Sequence, residues 1–223
     1  MYEVFVLFEG YSTQIDNVTM DANCSCTLIK GPKNIIIDTM TAWDGQSILD
    51  ALTKKGLQPK DINYVVCSHS HADHIGNNSL FLEADEHIVG LTAHRNSLFY
   101  ERDMKKRDYK LCEGVTVIAT PGHTSEDVTV IVNGKFEEKE VTVAVTGDLF
   151  EKEEDITDPS IWMELGVSDL RKVQASSRCK IASLADVIIP GHGPPFRVTE
   201  EIRNQLSEQL QCMNEESNHE AGL

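Results

Sequence analysis

Long apolar runs are missing from this sequence. Stretches such as Val4–Phe8, Ile35–Ile37 and Val187–Ile189 break off after three to five residues. A membrane-spanning helix needs about 20, so no span and no membrane partner is expected. A basic leader is missing too: Met1-Tyr2-Glu3 opens the chain, and the first apolar run soon meets Glu9-Gly10. That is not a secretory signal pattern, and an intracellular protein is the expectation. Positive charge is scarce, with 20 Lys and Arg against 36 Asp and Glu and a net charge of −16. Such a field repels polyanions at long range and excludes strong non-specific nucleic-acid binding. It leaves open a local site with its own chemistry. The six cysteines, at 24, 26, 67, 112, 179 and 212, do not form the framework of a secreted mini-domain. Cys24-Ser25-Cys26 has a one-residue gap, where a zinc ribbon has two. They read as ordinary thiols.

What remains is a well-stocked globular chain. Hydrophobic residues make up 40% and charged residues 25%, which excludes disorder for most of its length. At 223 residues it buries a sizeable core without staples. No repeat, linker or composition break divides it. One domain over residues 1–213 is expected, followed by a polar, frayed tail over 214–223.

The pattern predicts strands at Glu3–Phe8, Cys24–Lys30 and Asn34–Asp38, with Gly31-Pro32 turning between the last two. Trp43–Lys55 has Ile48, Leu49 and Leu52 at helical spacing and ends at Gly56. Further strands are expected at Asn63–Cys67, Glu86–Leu91, Val115–Thr120, Val128–Asn133, Val141–Thr146 and Ala185–Ile189. Helices are expected at Pro159–Ala175 and Glu200–Met213. Strands that come in runs, with helices between and after them, fit an α/β (α+β) architecture of two sheets with helices outside.

The chemistry concentrates at strand ends. His69-Ser70-His71-Ala72-Asp73-His74 follows the strand Asn63–Cys67 directly. Residues two apart in extended chain face one side, so His69 and His71 converge on one point. Asp73 and His74 follow the next turn and can face a second. Three more strands end at a glycine and a ligand-type residue: Pro121-Gly122-His123, Gly147-Asp148 and Pro190-Gly191-His192-Gly193. Imidazole and carboxylate are the donors that borderline divalent metals accept, zinc above all. Five histidines and two aspartates in one such grammar point to metal ligation.

On these residues the sequence resembles the metallo-β-lactamase superfamily, whose fold is an αββα sandwich of two mixed β-sheets flanked by helices. The family's motifs occur in order at Asp38, His69–His74, His123, Asp148 and His192. The stretches that carry the resemblance are 67–77, 119–123, 147–151 and 185–198, the last with Gly193-Pro194-Pro195-Phe196 beyond the metal motif. The resemblance implies two Zn2+ ions, with Fe or Mn as other divalent choices. His69, His71 and His123 would hold the first. Asp73, His74 and His192 would hold the second, and Asp148 would bridge them. Asp38 would hydrogen-bond behind the ligands. Two such ions about 3.5–4 Å apart activate a shared hydroxide that attacks carbon or phosphorus. Asp73, or water on a metal, would protonate the leaving group. Ser68 and Ser70 read as strand and loop residues, not nucleophiles.

For substrate, the resemblance within the superfamily implies an endoribonuclease acting on single-stranded RNA at histone pre-mRNA 3′ ends, in cytosol and nucleus. Six basic residues at Arg95, Arg102, Lys105, Lys106, Arg107 and Lys110 are the local feature in its favour; Glu101, Asp103 and Asp108 interrupt them. A thioester hydrolase similar to glyoxalase II fits the same ligands, but only 31 residues follow His192, too few for that family's helical domain. A β-lactamase is disfavoured because Asp148 stands where those enzymes typically carry Cys or Ser. A non-catalytic metal-binding scaffold is the remaining alternative. His94 and Phe196 are candidate substrate contacts. Trp162, Met163 and Leu165 read as core or as a homodimer surface. The acidic stretch Glu151–Asp158 reads as a solvated loop.

Overall fold

The structure is a computed structural model that describes residues 1–220, without the side chains of 216–220. The chain begins with β1 (Tyr2–Phe8), then a ribbon of β2 (Tyr11–Asp16) and β3 (Thr19–Asn23). The first half continues with β4 (Cys26–Lys30), β5 (Ile35–Ile37), α1 (Gly45–Lys54), β6 (Tyr64–Cys67), α2 (Ala72–Ile75), β7 (Glu86–Val89), β8 (Thr92–Arg95) and β9 (Leu98–Tyr100). The second half holds β10 (Tyr109–Cys112), β11 (Val115–Ala119), β12 (Val128–Phe136), β13 (Lys139–Gly147), α3 (Ser160–Leu165), α4 (Arg171–Leu184), β14 (Val187–Pro190), β15 (Phe196–Arg197) and α5 (Glu200–Glu220).

Thirteen strands share one hydrogen-bonded path, β15-β14-β13-β12-β1-β4-β5-β6-β7-β8-β9, with β11 and β10 branching from β12. The ribbon β2–β3 is a separate two-stranded sheet. β1 is the fold line. It runs parallel to β12 only through Tyr2 and Glu3, and antiparallel to β4 from Glu3 to Phe8. The two halves close over one another here as a sandwich.

Alternation along the strands builds its layers. On β5, Ile35 and Ile37 point between the halves while Ile36 points out toward α1. On β14, Val187 and Ile189 point in and Ile188 points out toward α4 and α5. The inner layer also takes Ile29, Val66 and Ile88 from one half and Val117, Val130 and Val145 from the other. Outside the first half, Ile48 and Leu52 of α1 cover Leu28, Ile36 and Val65. Outside the second, Ile181, Ile202 and Leu206 cover Ala144, Ile188, Phe150 and Phe196. The result is an αββα sandwich of mixed sheets flanked by helices. Each fully buried aliphatic contributes about 1.5–3 kcal/mol.

Some boundaries move. The helix expected over Pro159–Ala175 is two helices, α3 and α4, parted at Gly166. Gly166 is extended at φ −83° and ψ 173°, and Val167 N–H donates to the His123 carbonyl. α4 then runs to Leu184. The last helix continues past Met213 to Glu220; residues 221–223 of the expected tail lie outside the described residues. The stretch Glu151–Asp158 is solvated only in part: Glu153, Glu154 and Asp158 are exposed, while Glu151 is 1% exposed and Asp155 0%, the latter paired with Arg178 beneath it. Among the described residues no helix is long and apolar enough to cross a membrane.

Candidate metal centre

The ligand-bearing loops meet because their strands end together. β5 pairs parallel with β6, and β13 parallel with β14, so their C-terminal ends share one rim. Cross-links fix the loops there: Val128 N–H donates to the Ser68 carbonyl at 2.9 Å and Thr39 N–H to the His74 carbonyl at 2.8 Å. Two glycines are required by close approach. A Cβ on Gly191 would lie 1.9 Å from Asp148 Oδ1. One on Gly147, at φ +51°, would lie 2.2 Å from Ser68 Oγ. Neither position admits another residue without moving a site group.

The donors gather in two groups around one carboxylate. His69 Nε2 lies 2.8 Å from His71 Nδ1, and His123 Nε2 lies 3.1 Å from that same atom. Asp148 Oδ2 faces His69 Nε2 at 3.6 Å and His123 Nε2 at 3.5 Å. On the other side, His74 Nε2 lies 3.3 Å from Asp148 Oδ1 and 3.8 Å from Asp73 Oδ2. His192 Nε2 lies 3.3 Å from Asp148 Oδ2 and 3.7 Å from Asp73 Oδ2. The donor atoms of His69, His71, His123 and Asp148 all lie within 4.8 Å of one another, as do those of Asp73, His74 and His192. His69, His74, His123, Asp148 and His192 are buried, while His71 is exposed and Asp73 half-buried. The centre is thus enclosed on the protein side and open at His71 and Asp73.

Behind the donors, hydrogen bonds set the rings. Asp38, at φ +57° and 2% exposed, accepts from Ser68 N–H at 2.7 Å and Ser68 Oγ at 3.1 Å. Its Oδ2 lies 3.1 Å from His74 Nδ1. The Ser68 hydroxyl, having donated to Asp38, keeps its lone pairs for the Nδ1–H groups of His69 and His74, both at 3.1 Å. His192 Nδ1–H donates to the carbonyls of Tyr11 and Asn23, each at 3.1 Å. A proton held on Nδ1 leaves Nε2 as the free lone pair.

The electrostatics follow from this crowding. Burial and the neighbouring His74 push His69 down to about 2. Burial also lowers His123. For His74, burial is outweighed by the Asp148 and Asp38 carboxylates, which hold it well above the usual histidine range. His192 is raised to about 9, Asp148 overcoming its burial. Asp148 in turn is held well below the carboxylate range by His74 and His192, against its burial. One of its contacts is incomplete: His74 Nε2 and Asp148 Oδ1 are enclosed 3.3 Å apart, and among the described residues neither has a hydrogen-bond partner. Enclosed atoms of this kind, pointed at one another, are what a metal ion would satisfy. These clusters of His and Asp suit a binuclear metal centre.

The remaining candidates lie elsewhere. His94 sits on β8 opposite His87, stacked on Phe99 at 5.3 Å, with none of the donors beside it. The strand runs away from the rim at that point. Phe196 is 4% exposed and packs edge-on to Phe150 at 6.0 Å. It lines a cavity of about 490 Å³ with Val4, Phe5, Phe136, Pro194 and Pro195, which no donor touches. Trp162 is fully buried; Leu165 is 38% exposed. Of the six basic residues, Arg102 is clamped to Glu86, Lys106 to Asp103 and Lys110 to Glu113. The six cysteines are free thiols, and Cys24 lies buried next to Asp38 and His74. Sequence reasoning missed Ser68 as a ring holder and Glu151 altogether. Glu151 lies inside the centre's wall with His123 Nδ1 3.4 Å away; its only signal was its place three residues after Asp148.

Comparison with known proteins agrees with the geometry. "Metallo-beta-lactamase domain-containing protein 1" of Xenopus laevis is 41% identical over 211 residues, covering 93% of this chain and 86% of that protein. The mammalian proteins of that name are covered over 64–67% of their length. The N-acyl homoserine lactonase AiiA of Bacillus thuringiensis subsp. kurstaki is 33% identical over 101 residues, 40% of this chain and 39% of that one. The crystal structure of the metallo-β-lactamase FIM-1 from Pseudomonas aeruginosa shares the fold at a TM-score of 0.60 and 15% identity, over 92% of this chain and 90% of that one. Residues 20–192 match the sequence profile of the metallo-beta-lactamase superfamily, and the chain, with its strand-end donors at one rim of an αββα sandwich, belongs to that superfamily as a metal-dependent hydrolase.

Proposed function

We propose that the chain is a binuclear zinc hydrolase that cleaves phosphodiester bonds in single-stranded RNA, acting at histone pre-mRNA 3′ ends. The observation that carries the hydrolytic part is Asp148, which faces His69, His123, His74 and His192 at 3.3–3.6 Å. One group of donors would hold one ion, the other group the second, with Asp148 shared. Bound there, the metals supply Lewis acidity and an activated water. The chain's own residues do the rest. Ser68 and Asp38 hold His69 and His74 in place, and the Tyr11 and Asn23 carbonyls hold His192. Asp73, half-buried at the open side, is placed to pass a proton to a leaving group.

The RNA part is carried by the resemblance. Two divalent cations held there, with Asp73 and Asp148 as their carboxylates, would keep the centre positive and attract a phosphate despite the acidic surface. Arg95, Lys105 and Arg107 are exposed and carry no ion pair among the described residues, so three of the six basic residues point to a surface that a polyanion could meet. Action in cytosol and nucleus, as a homodimer, belongs to the same reading. A second reading, hydrolysis of a small ester, lactone or thioester, is favoured by the local similarity to the lactonase.

The test is to incubate the zinc-loaded chain with end-labelled single-stranded RNA, beside Asp148→Ala. Internal cleavage leaving 5′-phosphate ends, lost in the variant, is expected. Cyclic-phosphate ends would betray a contaminating ribonuclease. No cleavage by zinc-loaded protein, with turnover of a lactone or thioester, would replace the RNA reading by the second.

A further inference from the structure

Glu151 takes no part in the hydrolysis as set out above, yet it is built into the centre. Its side chain is 1% exposed, and its Oε1 is enclosed with no hydrogen-bond partner. His123 Nδ1 is in the same condition. These two atoms face each other at 3.4 Å. An enclosed polar atom left without a partner is costly, and an approach of a few tenths of an ångström satisfies both.

The other rings show what is needed. His69, His74 and His192 each have a partner on Nδ1: Ser68, Asp38 and two backbone carbonyls. Among the described residues, His123 has no such partner except the facing carboxylate. Glu151 is also braced from behind. Its N–H donates to Asp155 Oδ2 at 2.8 Å, and Asp155 is gripped by Arg178. Its carbonyl accepts from the His192 N–H at 2.7 Å. One residue therefore touches the ring of one donor and the backbone of another.

We propose that Glu151 is a positioning residue: its carboxylate accepts the His123 Nδ1–H, fixes that ring's tautomer and keeps Nε2 turned toward His71 and Asp148. The inference rests on the reading of His123 as a metal ligand. An imidazole binds metal through its unprotonated nitrogen. A carboxylate on the far nitrogen makes it a better donor, and losing such a partner costs about 10–100-fold in metal affinity. The competing arrangement is direct ligation, since the donor atoms of Glu151, Asp148 and His192 also lie within 4.8 Å of one another.

The test is zinc competition against a chromophoric chelator on the full chain, with Glu151→Ala and Glu151→Gln. For Ala, one zinc is expected to weaken about 10–100-fold and the other to hold. For Gln, whose amide oxygen still accepts the Nδ1–H, both are expected to stay within about threefold. In ¹⁵N spectra of histidine-labelled, zinc-loaded protein, His123 Nδ1 is expected to carry the proton. Undiminished zinc affinity in the Ala variant would overturn the proposal. So would a loss in Gln as large as in Ala, which is the signature of direct ligation. If Ala does not fold, an unprotonated His123 Nδ1 in the wild type overturns it instead. A wild-type chain that takes up no zinc at all would sink the metal-centre reading itself, a result distinct from two bound zincs indifferent to Glu151.

Discussion

Replacing Arg178 with methionine removes one charge from beneath the centre and keeps an apolar stem about as far as the Nε position. Arg178 and Asp155 are both 0% exposed. The guanidinium meets Asp155 through two nitrogens, at 3.0 and 2.5 Å, and donates to the Leu149 carbonyl at 3.0 Å. It lies 4.1 Å from the Phe150 ring centre and 5.1 Å from that of Trp162, contacts that the shorter methionine gives up. The loss is therefore mainly electrostatic, with a smaller share from the ring contacts. Removing one partner strands the other as a buried charge, at about 3–5 kcal/mol. In a chain of this size 1 kcal/mol moves the melting temperature about 2–4 °C, so a fall of roughly 6–20 °C is expected. Guanidinium titration and thermal melting of the metal-free protein, followed by circular dichroism, read it. Adding Asp155→Asn should recover part of the loss, because the stranded charge goes while an amide oxygen still accepts the Glu151 N–H. A loss under about 1 kcal/mol, the range of exposed pairs, would refute the reasoning. A double variant less stable than the single one would do the same.

Other outcomes follow from the same geometry. Gly191→Ala places a Cβ where Asp148 Oδ1 stands, 1.9 Å away; turnover of any substrate is expected to fall about 100-fold or more, as for a misplaced catalytic group, measured as kcat/KM beside a melting curve. Zinc uptake at pH 7 should release about two protons from His74 and His192, which carry them in the metal-free protein; calorimetry in buffers of different ionisation heat counts them. The His192 share should vanish as pH rises through about 9. Because that folded value is raised above 6.5, its stabilisation of the metal-free chain is full below about 6.5 and lost toward pH 9, which melting curves across that range would show. His94→Ala should leave kcat/KM unchanged, since His94 packs on Phe99 away from the donors; a clear loss would place β8 at the substrate.

The sandwich was legible because its strands announce themselves. Runs such as Ile35–Ile37 and Val187–Ile189 are buried on both faces, and a short β-branched run bounded by turns has few other uses. The ribbon β2–β3 was not legible, because its residues are mostly exposed and polar and no apolar alternation marks it. The split between α3 and α4 was hidden because Gly166 bends for a tertiary reason, the bond from Val167 to His123. The seven candidate donors were named from residue type and spacing, and the structure brings their side chains together at one rim. His94 and Phe196 were guessed from chain proximity, which says nothing about facing. Asp155 was hidden in an acidic run because the residue that lets it be buried, Arg178, lies more than twenty positions further on, and Glu151 because its facing group, His123, lies 28 positions before it.

The central claim is that Asp148 and the six side chains around it hold two metal ions. Native mass spectrometry of the zinc-dialysed chain counts them directly. Two zinc ions per chain are expected, falling to one or none in Asp148→Ala while the protein stays folded. A single zinc in the wild type, unchanged when Asp148 is removed, would contradict the account.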